Sequence, residues 1–116
     1  MMGRGKMYVV VNNELGMSSG KVAAQVAHAV SRIDVGVPRT VIVLQGTTWQ
    51  LVCLSKYLKE NNLPVHLYID EGANEIDPMM PTALAHGMVA DDFTPNFIQG
   101  FKLYKERTTW QRLRIH

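Results

Sequence analysis

The sequence predicts an α/β fold, a three-layer α/β/α sandwich built on a mixed four- to five-stranded sheet. Short β-branched runs at 7–11, 40–45 and 65–69 read as buried strands. Apolar residues at helical spacing separate them, over 20–33 and again over 51–58. Two strand-helix-strand units in so short a stretch require parallel pairing in part of the sheet, right-handed crossovers and cover on both faces.

Taken in order, residues 1–6 are polar and read as a frayed start. Met7 to Val11 is the first strand and ends at Asn12-Asn13. The loop to Gly20 is rich in small residues, so its backbone can approach a ligand closely. Ser18 or Ser19 is the expected N-cap of the first helix. Val22, Val26, Ala29 and Ile33 form its apolar stripe, widened by Ala23, Ala24 and Ala27, and Lys21, Gln25, His28 and Arg32 recur at the same spacing on another face. A strand-loop-helix opening is the usual place for a site in an open α/β sheet. Lys21 stands in the first turn, where a cation opposes the helix dipole, so local stability does not explain it. A solvated surface stripe and a functional one both remain open on periodicity alone.

Asp34 to Pro38 breaks the helix, and Thr40 to Gln45 is the second strand. Thr47-x-x-Gln50 has the form of a capping box, followed by Leu51, Leu54 and Leu58 on one face, and Asn61-Asn62 with Pro64 closes this helix. Val65 to Ile69 is the third strand. Residues 70–81 form a loop, and Thr82 to Val89 is the fourth strand. Asp91 to Gln99 reads as a short helix with Thr94-Pro95 at its N-cap and first position, and Phe101 to Tyr104 as a short last strand. Val22, Val26, Val43, Leu51 and Leu54 are the predicted core.

The 116 residues, 47% of them hydrophobic, fit one globular domain over 1–116. A net charge of +2 is too small to identify a nucleic-acid binder by itself, but five of the twelve basic residues fall in 101–116. Lys105, Arg107, Arg112 and Arg114 surround Trp110, so 105–116 reads as a basic C-terminal extension that either adds RNA affinity or packs as a plain terminus. The single cysteine, Cys53, lies in an apolar helical run and reads as a small buried hydrophobe. No stretch reaches the roughly 18 apolar residues of a membrane span, and 1–11 lack a signal-peptide pattern, so a reducing, cytoplasmic setting is expected. Four histidines and one cysteine show no metal-ligand spacing, and neither metal nor organic cofactor is expected. Gly16, Gly20 and Lys21 fall short of a phosphate loop, because only three residues separate the glycines and Val22 stands where magnesium needs a hydroxyl.

Gly20-Lys21-Val22-Ala23-Ala24-Gln25-Val26-Ala27-His28-Ala29 resembles the first-helix signature of the archaeal and eukaryotic type of peptidyl-tRNA hydrolase. Asp70, Gly72, Ile76, Pro78 and Thr82, then Leu84-Ala85-His86-Gly87, follow the order and spacing of that family's second block. The resemblance spans residues 7–104 and implies hydrolysis of the ester between a peptide and the 3′ ribose of tRNA. It implies Lys21, His28 and Asp70 as catalytic residues, and Gly20, Gln25, Gly72, Asn74 and Thr82 as substrate-binding residues. Asp70 would orient or deprotonate water, Lys21 would stabilise the oxyanion or hold Asp70 ionised, and His28 and Gln25 would position the 3′ end. Partners implied are peptidyl-tRNA and a second copy in a homodimer, with no membrane and no DNA.

The chain departs from the family pattern at several positions. Asn74 replaces Thr, Ala73 a basic residue, Met79 Gly, Gln45 Lys and Met88 Pro. His86 replaces an aliphatic residue and reads as a hydrogen-bonded interior histidine or an extra acid-base group. Retention of Lys21, Gln25, His28 and Asp70 favours the hydrolase. Loss of the threonine and its neighbouring cation favours the alternative, a weak or inactive relative that binds RNA ends or protein.

Overall fold

The computed structural model describes residues 5–38, 40–72 and 79–105. Their elements are β1 (Gly5–Asn12), α1 (Ser19–Ser31), β2 (Thr40–Gly46), α2 (Thr48–Glu60), β3 (Val65–Asp70), β4 (Met80–Ala90), a 3-10 turn (Asn96–Ile98) and β5 (Lys102–Leu103). The sheet has five strands in the order β3-β4-β1-β2-β5. β1 and β2 pair in parallel, from Lys6 opposite Thr40 to Asn12 opposite Gly46. β4 is antiparallel to both β1 and β3. β3 therefore runs in the direction of β1, and their carboxyl ends meet at one edge.

Local chemistry sets the helix starts at that edge. Ser18 accepts from the Lys21 backbone N–H at 3.2 Å. At α2 the expected capping box forms in both directions: the Gln50 N–H donates to Thr47 Oγ1 at 3.1 Å, and the Thr47 N–H donates to Gln50 Oε1 at 2.8 Å.

β1 is the central strand and divides the core by alternation. Tyr8 and Val10 pack with Leu44, Leu51, Leu54 and Leu58 under α2. Met7 and Val9 pack with Ala29, Ala83 and Ala85 under α1. The helices thus cover opposite faces, as the predicted sandwich requires.

Cover by α1 is incomplete. Val22, Leu51 and Leu54 are buried as expected, but Val26 and Val43 are only half-buried, and Ala23 and Ala27 are exposed. The reason is strand order: α1 lies against β4, β1 and β3, so among the described residues no helix lies above its side of β2. Val26, Val30, Val41, Val43 and Tyr104 consequently line an open apolar groove.

Three further expectations change. Cys53 is exposed rather than buried, because it sits about 200° round α2 from Leu51, which faces the core. The helix expected over 91–99 is reduced to the turn at Asn96–Ile98. Pro95 at its N-cap makes no side-chain capping bond, and a single turn does not recover the cost of helix nucleation. β4 begins at Met80, with Met79 before it at a left-handed φ of 64°. That conformation favours glycine, which accounts for the glycine in the family pattern where this chain has Met79.

Candidate active site

The third strand delivers Asp70 to the carboxyl edge, and the second stripe of α1 meets it there. Lys21 Nζ lies 3.2 Å from Asp70 Oδ2. Gln25 Nε2 donates to the same oxygen at 2.8 Å. The Gly72 N–H donates to Asp70 Oδ1, and Gly72 reaches that position through a left-handed φ of 87° that favours glycine. Behind them Thr82 Oγ1 donates to Gln25 Oε1 at 3.0 Å.

These contacts form one chain of orientation. Thr82 fixes the Gln25 carboxamide, whose NH₂ then faces Asp70 and leaves Lys21 on the solvent side. Gln25 and Thr82, expected as substrate contacts, are 1% and 0% exposed, and their polar groups pair with Asp70 and with each other. The Gly72 backbone bond, with the Lys21 and Gln25 bonds and the Lys21 charge, outweighs burial and holds the Asp70 carboxyl below its ordinary range.

His28 lies two turns further along α1 and is exposed. Its ring stacks on Tyr68, with centroids 4.8 Å apart and planes 10° apart. Arg32, one turn on, places its guanidinium carbon 5.5 Å from the same ring. Gly20 opens α1 at the surface, and a Cβ built there meets nothing within 4 Å. Asn74, Ala73 and the stretch 106–116 lie outside the described residues.

Two residues were missed from the sequence. Tyr68 shares the α1-facing side of β3 with Asp70, and its signal was the two-residue strand period counted back from Asp70. Asn12, 2% exposed, donates to Thr48 Oγ1 and to the Pro81 carbonyl, both at 2.8 Å, and accepts from the Glu14 N–H at 2.9 Å. It ties the end of β1 to the start of α2 and to β4, immediately before Thr82. The asparagine pair ending the first strand was read only as a stop.

His86 is 4% exposed, with Nδ1 2.6 Å from the Pro64 carbonyl oxygen, which is the interior, hydrogen-bonded alternative. Burial lowers its pKa more than that bond raises it.

The pattern of the family described as peptidyl-tRNA hydrolase PTH2 matches residues 5–35, the stretch that carries β1 and α1. A protein of Halobacterium salinarum named peptidyl-tRNA hydrolase is 35% identical over 98 residues, covering 74% of this chain and 88% of that one. One from Pyrobaculum aerophilum, with the same name, is 27% identical over 118 residues, covering 86% and 98%. A solved structure of a protein of unknown function from Agrobacterium tumefaciens strain C58 superposes with a TM-score of 0.53 over 90% of this chain and all (100%) of that one, at 17% identity, a likeness of fold alone. With 35% identity to the haloarchaeal relative over 74% of its own length, the chain belongs to the PTH2 family of peptidyl-tRNA hydrolases.

Proposed function

We propose that the chain hydrolyses peptidyl-tRNA, with Lys21 and Asp70 at the reacting bond. Water adds to the ester carbonyl, the bond to the 3′ ribose oxygen breaks, and that oxygen takes a proton to leave as free tRNA. The peptide departs as a carboxylate and its proton goes to solvent. The observation that carries this reading is the Lys21–Asp70 pair at 3.2 Å, locked from behind by a buried glutamine.

The geometry favours one role for each group. A carboxylate has about four acceptor positions. Oδ2 uses its two on Lys21 and Gln25, and Oδ1 uses one on Gly72, so one position on Oδ1 remains for water. A carboxylate held below its ordinary pKa is a weak base, so Asp70 orients the water and anchors Lys21 rather than removing a proton. Lys21 keeps two N–H donors for the carbonyl oxygen as negative charge develops on it. His28 acts beyond this pair, on the RNA end of the substrate. Gly20 leaves room at the same rim, and Asn74 is assigned to substrate binding from the family pattern.

Asp70→Asn keeps the side-chain size and removes the charge. Release of free tRNA from purified peptidyl-tRNA is expected to fall by about 10² or more, with tRNA affinity little changed. Unchanged release from a folded Asp70→Asn protein would place the chemistry elsewhere. Wild-type protein that binds tRNA and releases none would establish the alternative, a binding relative without turnover.

The functional unit in this proposal is one domain over 1–116 working on tRNA in the cytoplasm. No helix among the described residues is long and apolar enough to cross a membrane. The apolar groove along α1 and β2 is assigned to a second copy of the chain, since the described residues leave Val41 exposed and Val26 and Val43 half-buried. The extension 105–116 is assigned to electrostatic attraction for RNA. A chain ending at Tyr104 is then expected to show a shallower dependence of tRNA affinity on salt, and an identical slope would remove that role.

A further inference from the structure

Arg32, His66 and Tyr68 take no part in the hydrolytic chemistry, yet they converge beside it. His66 tilts toward Tyr68 at 6.5 Å, completing a cluster with the stacked His28 ring and the Arg32 guanidinium. Tyr68 precedes Asp70 by two strand residues, about 6.7 Å along β3, which is the scale of one nucleoside. α1 follows the same line: Lys21 and Gln25 meet Asp70, and His28 and Arg32 meet Tyr68. β3 is an edge strand, so among the described residues no further strand closes this side of the cluster.

Burial distinguishes this arrangement from ordinary core packing. Tyr68 is half-buried and anchored on the core below α1, whereas His28 and Arg32 are exposed. One face of the imidazole is therefore spent on Tyr68, the residue is otherwise exposed, and a permanent cation lies over the same tyrosine. Nucleobases stack on such faces whatever their identity, and guanidinium pairs with phosphate.

We infer that His28, Tyr68 and Arg32 form a docking platform for the terminal nucleotide of the substrate's RNA arm. The base stacks on the outer face of His28, the adjoining phosphate meets Arg32, and the ribose 3′ oxygen with its ester points toward Lys21 and Asp70. Tyr68 is a positioning residue that sets the plane of the His28 ring. The inference rests on the hydrolytic reading for the chemistry of the substrate.

The test uses the full chain and a short RNA hairpin ending in CCA, with 2-aminopurine in place of the last adenine. Stacking quenches that base. Wild-type protein is expected to quench it on binding, and His28→Ala to abolish the quench and weaken binding roughly tenfold to a hundredfold. His28→Phe restores the quench, because it keeps a flat ring on Tyr68 without a titratable nitrogen. Arg32→Ala lowers the salt slope of binding by about one and leaves the quench at saturation unchanged. In turnover, His28→Phe keeps KM near the wild-type value while His28→Ala raises it. Binding of the hairpin by wild type without quenching would overturn the platform, as would equal KM values for His28→Ala and His28→Phe. Peptide release measured in parallel separates the two readings. Quenching without release refutes the hydrolase and keeps the platform, whereas release without quenching refutes the platform and keeps the hydrolase.

Discussion

The two flanks of α1 are built on opposite principles. Toward β3 and β4 the helix presents polar side chains, and the most deeply covered of them is an amide: Gln25 is 1% exposed between Thr82 and Asp70. Toward β2 it presents alanine and valine, yet Ala23 and Ala27 are exposed and Val26 is half-buried. Side-chain polarity therefore does not set burial along this helix; the strand that happens to lie beneath does. The polar flank is sealed because each buried group has a partner, among the described residues without a single buried side-chain nitrogen or oxygen left unpaired. The apolar flank needs no such pairing and is open among the described residues.

The contrast can be broken most forcefully at Gln25. Gln25→Leu retains the volume but deprives Asp70 of one donor and Thr82 of its nearest acceptor. Chemical denaturation is expected to show a loss of about 1–3 kcal/mol, with peptide release falling alongside it. A neutral result would mean that the sealed flank is packing alone. Ala27→Arg probes the open flank. It should change the stability of the single chain by no more than about 0.5 kcal/mol, because the position is exposed, while shifting sedimentation of the proposed dimer to that of a monomer. A dimer that survives Ala27→Arg lies on another surface.

Acid provides the mildest test, since it acts on the ionisable groups of the polar flank and leaves the apolar flank unchanged. Asp70 has a folded pKa below its ordinary 3.8. The unfolded chain holds that proton more tightly, so the stabilisation is complete above 3.8 and is lost as pH falls through the lower folded value. His86, lowered chiefly by burial, and His66, lowered by burial and by Arg32 and Lys59, act with the same sign from an ordinary 6.5 downward. Denaturation midpoints should therefore be flat above about pH 7, sag first through the histidine window and fall again in the carboxylate window. Asp70→Asn should reduce the second fall, to which Glu14 also contributes by accepting from the Thr48 N–H, and leave the first. Ala27→Arg should leave both in place.

Much of the site was legible because its parts obey simple periods. Lys21, Gln25, His28 and Arg32 recur with the helix, and Asp70 ends a strand parallel in direction to β1, so their meeting follows from topology. The depth of Gln25 was not legible. Its burial depends on β4 running between β1 and β3, an insertion for which the third and fourth strands carried no pairing signal. The same insertion explains Val26 and Val43, since periodicity identifies an apolar face without identifying what lies opposite it. Helix caps were read correctly from side chains that bond within three residues. The turn at Asn96–Ile98 was over-read, because a good start signal at Thr94-Pro95 says nothing about how soon the chain must return to pair Lys102 with Gln45.

The outward position of Cys53 has a practical result. It is the only thiol in the sequence, it is exposed, and it sits on α2, across the sheet from Lys21 and Asp70. A maleimide dye attached there gives each molecule one label whose attachment leaves the edge that carries Lys21 and Asp70 unmodified. The same thiol on two molecules can also join them through a disulfide in air-exposed buffer. Such a covalent pair would meet through α2, whereas a dimer formed across the α1 groove persists in reductant, so oligomeric state is best read with reducing agent present.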